Sequence, residues 1–286
     1  MGQPEGMTLG AVLTAIVTPF APDGSVDEQA FVDLMGHLYT SGTDGLVVCG
    51  TTGEASTLST EEHLRLVELA VEHRPASATV VASTGSNDTR HACEMTEKAT
   101  AVGADAILSV TPYYNKPNRR GLVAHYTEVA RATDKPVVLY NIPSRVVLDL
   151  DNAMLAELAQ IERIDYVKQA NNANLAPVDG LQIYAGNDDL FGSVLEMGGC
   201  GGILVASHVV GPAMRRMVDE PDQRAEIEAS LKPVFDALGV TTNPIPIKAA
   251  LDLVGHPVGG LRLPMVPADS REREVVRAAL AGVGVL

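Results

Sequence analysis

Val137-Val138-Leu139-Tyr140-Asn141 is a short apolar run, rich in β-branched residues and of the length of one buried strand. Seven further runs of the same kind accompany it: Leu13 to Phe20, Gly45 to Gly50, Ala78 to Thr84, Ala106 to Thr111, Tyr166 to Ala170, Leu181 to Gly186 and Gly202 to Ser207. Amphipathic stretches separate them, and each cycle takes roughly 25 to 30 residues, the spacing of β-α units. Eight parallel strands with crossover helices most economically close into a (β/α)₈ TIM barrel of the α/β class. A doubly wound open sheet is the alternative, because strand order cannot be read from one sequence.

The helices carry their own signals. Ser25-x-x-Glu28 and Ser59-x-x-Glu62 read as capping boxes, in which each side chain satisfies a free backbone N–H at the helix start. After the first, Ala30, Phe31, Leu34, Met35, Leu38 and Tyr39 share one face, and Ser41-Gly42 ends the element. Beyond about Pro221 the strand signal stops and three helices are expected, Gln223 to Leu238, Ile245 to Val254 and Ser270 to Ala281, punctuated by Asn243-Pro244-Ile245-Pro246. The expected organisation is a barrel over 1–221 that holds the active site and a C-terminal helical annex over 222–286.

Composition narrows the function. The chain has 286 residues, 46% of them hydrophobic, enough for a sizeable core, and its formal net charge is −15. That charge argues against nucleic acid or an anionic membrane as a partner, so a small anionic substrate needs a local cationic pocket. The first basic residue is Arg65 and no apolar run approaches the roughly 18 residues of a membrane span, which predicts a cytoplasmic protein without a leader. Cys49, Cys93 and Cys200 form no C-x-x-C pair and fit reduced thiols, Cys49 and Cys200 as inert packing. The seven histidines show no paired metal-ligand spacing, so no metal is expected, and no Walker loop, G-x-G-x-x-G or G-x-S-x-G occurs. Gly198-Gly199-Cys200-Gly201-Gly202 precedes the eighth strand, at the end away from the mouth, and reads as a tight turn.

In a barrel the working residues lie at the C-terminal strand ends. There the chain places Gly50-Thr51-Thr52-Gly53-Glu54, Thr111-Pro112-Tyr113-Tyr114-Asn115, Tyr140 to Arg145, and Gly186-Asn187-Asp188-Asp189. Of six lysines, Lys98 and Lys232 lie on helices, Lys116 in a loop, Lys135 at a strand entry, and Lys248 after the proline-rich turn. Only Lys168 sits in a strand near its exit. One account is a structural lysine paired with a carboxylate such as Asp188. The other is a desolvated lysine whose neutral amine attacks a carbonyl to form a Schiff base. The tyrosines favour the second, because imine formation needs proton transfers that a positioned phenol can relay.

Gly-Thr-Thr-Gly-Glu at 50–54, Thr-Pro-Tyr-Tyr-Asn at 111–115, Tyr-Asn-Ile-Pro-Ser-Arg at 140–145, the strand lysine, Asn-Pro-Ile-Pro-Ile-Lys at 243–248 and Leu-Arg-Leu-Pro-Met at 261–265 together resemble the 4-hydroxy-tetrahydrodipicolinate synthase family, also called dihydrodipicolinate synthase, within the pyruvate-dependent class I aldolases. The resemblance covers nearly the whole chain. It implies that Lys168 forms an imine with pyruvate, with no other cofactor, and that the enamine attacks the aldehyde of aspartate-β-semialdehyde in lysine (diaminopimelate) biosynthesis. It further implies a proton relay of Tyr140, Thr51 and Tyr114, the last reaching into a neighbouring subunit of a homotetramer built as a dimer of dimers. Thr52 and the backbone of Ile203 would hold the pyruvate carboxylate, and the planar fork of Arg145 the semialdehyde carboxylate. Another aldolase of the superfamily, cleaving N-acetylneuraminate or a 2-keto-3-deoxy sugar acid, is the alternative activity. A non-catalytic barrel that binds a small metabolite is the alternative from another class.

Three departures from the family pattern are expected to border the site: Gln169 after the lysine, Val146-Val147 after the arginine, and Asn187 after Gly186. Ser56, His63, Asn87 and Tyr113 match positions that bind lysine in feedback-inhibited relatives. Ala55 and Thr60 differ, and His91 replaces a glutamate that pairs with the lysine amine, so weak lysine inhibition is expected.

Overall fold

The computed structural model describes residues 8–286. Residues 1–7, which carry part of the no-leader expectation and the start of the barrel region drawn from residue 1, lie outside it. Eight parallel strands close into a barrel in sequence order: β1 Val12–Ala15, β2 Gly45–Val48, β3 Thr79–Ser83, β4 Ala106–Val110, β5 Val137–Asn141, β6 Ile164–Gln169, β7 Gln182–Ala185 and β8 Gly201–Leu204, with β8 pairing back to β1. The helices are α1 Glu28–Thr40, α2 Thr60–His73, α3 Thr89–Ala101, α4 Arg119–Arg131, α5 Pro143–Val146, α6 Asn152–Leu158, α7 Phe191–Glu196, α8 Ser207–Asp219, α9 Arg224–Leu238, α10 Ile245–Leu253 and α11 Ser270–Gly282. The closed order excludes the open sheet.

Strand alternation sorts the barrel residues into two apolar clusters. Leu13, Val47, Val81, Leu108, Val138 and Ile203 point inward and fill the lumen. Their neighbours Val12, Leu46, Val80, Ile107, Leu139 and Val167 point outward and pack against the helices. In α1 the buried face is Phe31, Leu34, Met35 and Leu38, the stripe predicted from spacing. Each such fully buried side chain contributes about 1.5–3 kcal/mol relative to exposure. The outer cluster continues without a break into α9, α10 and α11 through Ile227, Leu231, Ile247, Leu251, Val276 and Leu280.

Four local expectations need correction. Ser25 does not cap α1: its hydroxyl and amide are taken by Asp23, and Asp27 caps the helix by accepting from Ala30 N–H at 3.0 Å. The second box stands, with Glu62 N–H donating to Ser59 and Ser59 N–H to Glu62. The first strand ends at Ala15, not Phe20, and the last at Leu204, not Ser207. Ile16, Val17 and Phe20 owe their apolar character to burial beyond the ladder, not to pairing within it. Finally, no α-helix joins β6 to β7 among the described residues; the link is a single 3₁₀ turn at Asn172–Asn174.

The glycine-rich run turns at Gly198 and passes into β8, which begins at Gly201. Gly198 and Gly201 have φ of 83° and 146°, and a Cβ on Gly201 would lie 2.0 Å from the Ala11 carbonyl oxygen. Close approach of β8 to β1, which closes the barrel, requires glycine there.

Candidate active site

Lys168 shares the inward parity of Tyr166 and stands in register with Tyr140 of β5 and Tyr184 of β7. Its position near the end of β6 puts the ammonium at the top of the filled lumen, 6% exposed, with Nζ 4.3 Å from the centre of the Tyr140 ring. Above it opens a cavity of about 530 Å³, walled by Thr51, Thr52, Tyr140, Arg145, Asp188 and Asn243 among others. Among the described residues Lys168 makes no ion pair. Burial pushes its pKa down to about 7, with Asp188 opposing and Arg145 reinforcing the shift. A large fraction of the amine is therefore neutral near pH 7.

Burial likewise raises the Tyr140 phenol to about 12, against smaller downward pulls from Arg145 and a Thr51 hydrogen bond. It stays protonated at neutral pH and can donate. Asp188, named from the sequence as a partner for Lys168, is instead anchored to the β8–α8 junction. Its Oδ1 accepts from Val205 N–H at 2.9 Å and Ala206 N–H at 3.0 Å. Burial raises its pKa, and those two amides and Lys168 lower it.

The loop after β2 carries Thr51 and Thr52. It leaves the strand at Cys49 and ends at Glu54, both at φ 55°, a left-handed backbone unusual for non-glycine residues. Thr52 Oγ1 accepts from Asn243 Nδ2 at 2.9 Å, and Arg145 Nη2 donates to the Asn243 carbonyl at 3.2 Å. Asn243 thus ties a hydroxyl from one side of the cavity to a guanidinium from the other. The sequence marked it only as turn punctuation. Arg145 reaches the mouth because α5, one helical turn begun by Pro143, follows β5 directly.

Of seven site residues expected from the sequence, five meet at this cavity: Lys168, Tyr140, Thr51, Thr52 and Arg145. Ile203 lies fully buried in β8, in the inner cluster below Val205, which does reach the wall. Tyr114 points away from it, 89% exposed on a left-handed backbone with φ 71°. Its neighbour Tyr113 lines a second cavity of about 400 Å³, which shares Thr51, Tyr140 and Arg145 with the first.

Gln169 does not border the cavity. Its outward parity sends the side chain behind the sheet, where Oε1 accepts from Asn141 Nδ2 at 3.1 Å and Asn171 N–H at 3.0 Å. Val147 is exposed just beyond α5 and lines neither cavity, but Val146 is buried and lines the second, and Asn187 lines the first. Of the three departures, Asn187 therefore borders the first cavity, Val146 the second, and Gln169 neither.

Lys248 is a second buried lysine. Its Nζ lies 2.6 Å from Glu54 Oε1, with side chains 2% and 3% exposed, donates to the Gly260 carbonyl at 2.7 Å, and sits 4.4 Å from the Phe20 ring centre. A signal for this was present: residues 245–251 of α10 are apolar apart from Lys248, and a helix apolar all round is a buried helix.

The chain is similar over nearly its whole length to proteins named as synthases of one kind. It is 43% identical to the 4-hydroxy-tetrahydrodipicolinate synthase of Symbiobacterium thermophilum, covering 98% of this chain and 99% of that protein. It is 42% identical to the enzyme of the same name from a Cyanothece species, over 97% and 99% of the two chains. The crystal structure of the chloride-inhibited dihydrodipicolinate synthase of Acinetobacter baumannii, complexed with pyruvate, matches with a TM-score of 0.93 at 35% identity, covering 98% of this chain and all of that one. With the sequence model of the dihydrodipicolinate synthetase family matching residues 8–282, the chain belongs to that family.

Proposed function

We propose that this protein is a lyase that condenses pyruvate, held as an imine of Lys168, with L-aspartate-4-semialdehyde to give 4-hydroxy-tetrahydrodipicolinate for lysine (diaminopimelate) biosynthesis. The observation that carries the proposal is a buried lysine without an ion pair among the described residues, its ammonium over the Tyr140 ring, at the floor of a cavity with two hydroxyls and a guanidinium on its wall. Its similarity to synthases of that name supports the choice of aldehyde.

The neutral Lys168 amine adds to the keto carbon of pyruvate, and the former carbonyl oxygen leaves as water once protonated through Tyr140 and Thr51. The protonated imine is an electron sink, so a methyl proton is lost and an enamine forms. The enamine carbon bonds to the aldehyde carbon of the second substrate, whose oxygen takes a proton to become the hydroxyl; the amino group of that substrate then adds to the imine carbon, closing the ring and expelling the Lys168 amine. Thr52 and the backbone of Ile203 hold the pyruvate carboxylate, while Arg145 takes the semialdehyde carboxylate in bidentate fashion. Lys168 and Arg145 supply the cationic pocket that a chain of net charge −15 needs for anionic substrates. No metal or separate cofactor takes part in the proposal.

A homotetramer arranged as a dimer of dimers belongs to the same proposal. Tyr114 has no role in its own cavity, and it stands with Tyr113, Leu263 and Val266 among the exposed large apolar side chains. Reaching into a partner's site would complete the proton relay there. The cytoplasm as its compartment is proposed on the three free thiols, Cys49, Cys93 and Cys200.

Borohydride reduction in the presence of pyruvate, followed by peptide mass spectrometry, is expected to place the adduct on Lys168. A substrate panel then fixes the aldehyde: turnover of the semialdehyde and not of a keto-sugar acid is expected. The reverse pattern overturns the proposed substrate.

A further inference from the structure

We infer that the C-terminal helical region positions Thr51 and Thr52 for the reaction, through the buried Lys248–Glu54 ion pair and the Asn243 bridge. The inference rests on the pyruvate-imine reading, because the two threonines matter through their proposed work on pyruvate and its proton transfers.

The loop of residues 50–54 is preceded by Cys49 and ends at Glu54, both left-handed non-glycine residues, a conformation that persists only when the surroundings impose it. Glu54 N–H donates to the Thr51 carbonyl at 3.1 Å, Ala55 N–H to the Gly50 carbonyl at 3.3 Å, and Thr18 Oγ1 to the Gly53 carbonyl at 2.6 Å, whereas the partners of the Thr52 and Glu54 side chains come from the far end of the chain. Glu54 presents one carboxylate oxygen to Lys248 and the other to Arg262 N–H at 3.0 Å. The Phe20 ring is flanked by both cations, Lys248 Nζ at 4.4 Å and Arg262 Cζ at 4.5 Å. Arg262 also binds the Thr57 carbonyl and Glu62, clasping the start of α2 that follows the loop. Asn243, five residues before Lys248, holds Thr52 itself.

An isolated buried pair is a poor source of stability, since apolar residues of similar volume often serve as well. Its distinctive property is fixed geometry. Here that geometry is applied two residues from Thr52, and the lysine lies at the first turns of α10, just after the turn that supplies Asn243. Both anchors therefore move with one helix, which makes the annex a jig for the β2 loop.

Two variants test this. In Glu54→Gln/Lys248→Met both charges are removed with side-chain volume nearly kept. Its thermal unfolding is expected to stay close to that of the parent, while pyruvate KM rises and imine formation slows, each by about tenfold or more, as expected of a misplaced binding group. Asn243→Ala touches no buried charge and decides the matter where the double variant does not fold. It is expected to raise pyruvate KM more than it lowers kcat, with unfolding unchanged. A folded variant of either kind with parental pyruvate KM and parental imine rate overturns the inference and leaves the imine reading standing, provided the parent is labelled on Lys168. A parent that pyruvate and borohydride leave unlabelled overturns both.

Discussion

Lys168 and Lys248 are buried alike, 6% and 3% exposed, yet their surroundings differ. Lys248 faces a carboxylate at 2.6 Å, while Lys168 faces a cavity with no ion pair and with Arg145 adding to the repulsion. Both pKa values are lowered by burial; Glu54 counters this at Lys248, as Asp188 does at Lys168. Desolvation by itself thus does not distinguish a working lysine from a structural one. What does is whether the charge has been given a permanent partner and whether the nitrogen has room for a reacting carbon.

The sharpest way to break the contrast is to remove each lysine in turn. Lys168→Met is expected to abolish pyruvate labelling and to lower kcat/KM on the order of a thousandfold or more, since no other group supplies the covalent bond. Thermal unfolding of that variant should be at or above that of the parent, because a buried lysine without an ion pair costs stability. Lys248→Ala should do the opposite to stability, losing about 3–5 kcal/mol by stranding Glu54 in an apolar site, as measured by denaturant unfolding. If Lys168→Met proves the more destabilised of the two, the distinction between them falls.

The contrast was only half legible in the chain. Lys168 stood out because a short apolar run with β-branched neighbours has no surface for a charge, and the run's place in the β-α cycle fixed which strand end it occupied. The same repeat sets the number of strands, while their closed order rests on the pairing of β8 with β1, which no single run shows. The pairing of Lys248 is not legible in the chain, because its partner lies 194 residues upstream and only closure of the barrel with packing of α10 brings Glu54 to it. Asn243 is hidden for the same reason. Gln169 was misjudged because adjacency in a strand means opposite faces: the residue next to an inward lysine points out. Tyr114 cannot be placed from one subunit, since its exposed ring has its proposed partner elsewhere.

A smaller effect is expected at Arg145, which follows the strand next to that of Lys168 and lines the same cavity. Arg145→Ala removes charge-assisted hydrogen bonds worth about 1.5–3 kcal/mol each. Steady-state kinetics should show kcat/KM for the semialdehyde falling by roughly ten- to a hundredfold, with labelling of Lys168 by pyruvate retained. Loss of labelling as well would move Arg145 from the second substrate to the first.

The ionisation of Lys168 gives a pH test of the same comparison. Its folded pKa of about 7 lies below the ordinary 10.5, so the unfolded chain binds more protons between those values. From this group, stability is lowest below about pH 7 and rises as pH climbs towards 10.5. The rate of imine formation should climb through an inflection near 7 as the amine becomes neutral. Asp188 raises this pKa, so Asp188→Asn should move the inflection to lower pH, read by stopped-flow imine formation. An inflection that moves upward would mean that Asp188 acts on Lys168 through the β8–α8 junction rather than through its charge.

The smallest effect concerns the second cavity and turns on the same pair. Ser56, His63, His91 and Tyr113 line it, and its single carboxylate, Glu54, is already committed to Lys248 and to Arg262 N–H. Burial holds His63 neutral, at about 4. A free lysine molecule entering there finds acceptors but no anion for its side-chain ammonium, so low-millimolar lysine is expected to change the rate by less than about twofold, as for any unpaired surface-type charge contact. Replacing His91 with glutamate supplies the missing anion beside the cavity without touching Glu54, and lysine sensitivity measured in the same activity assay should then appear. Strong inhibition of the parent by low-millimolar lysine would mean that the cavity recognises the ligand without a free carboxylate of its own. It would also show that commitment of Glu54 to Lys248 does not decide what the neighbouring space can bind.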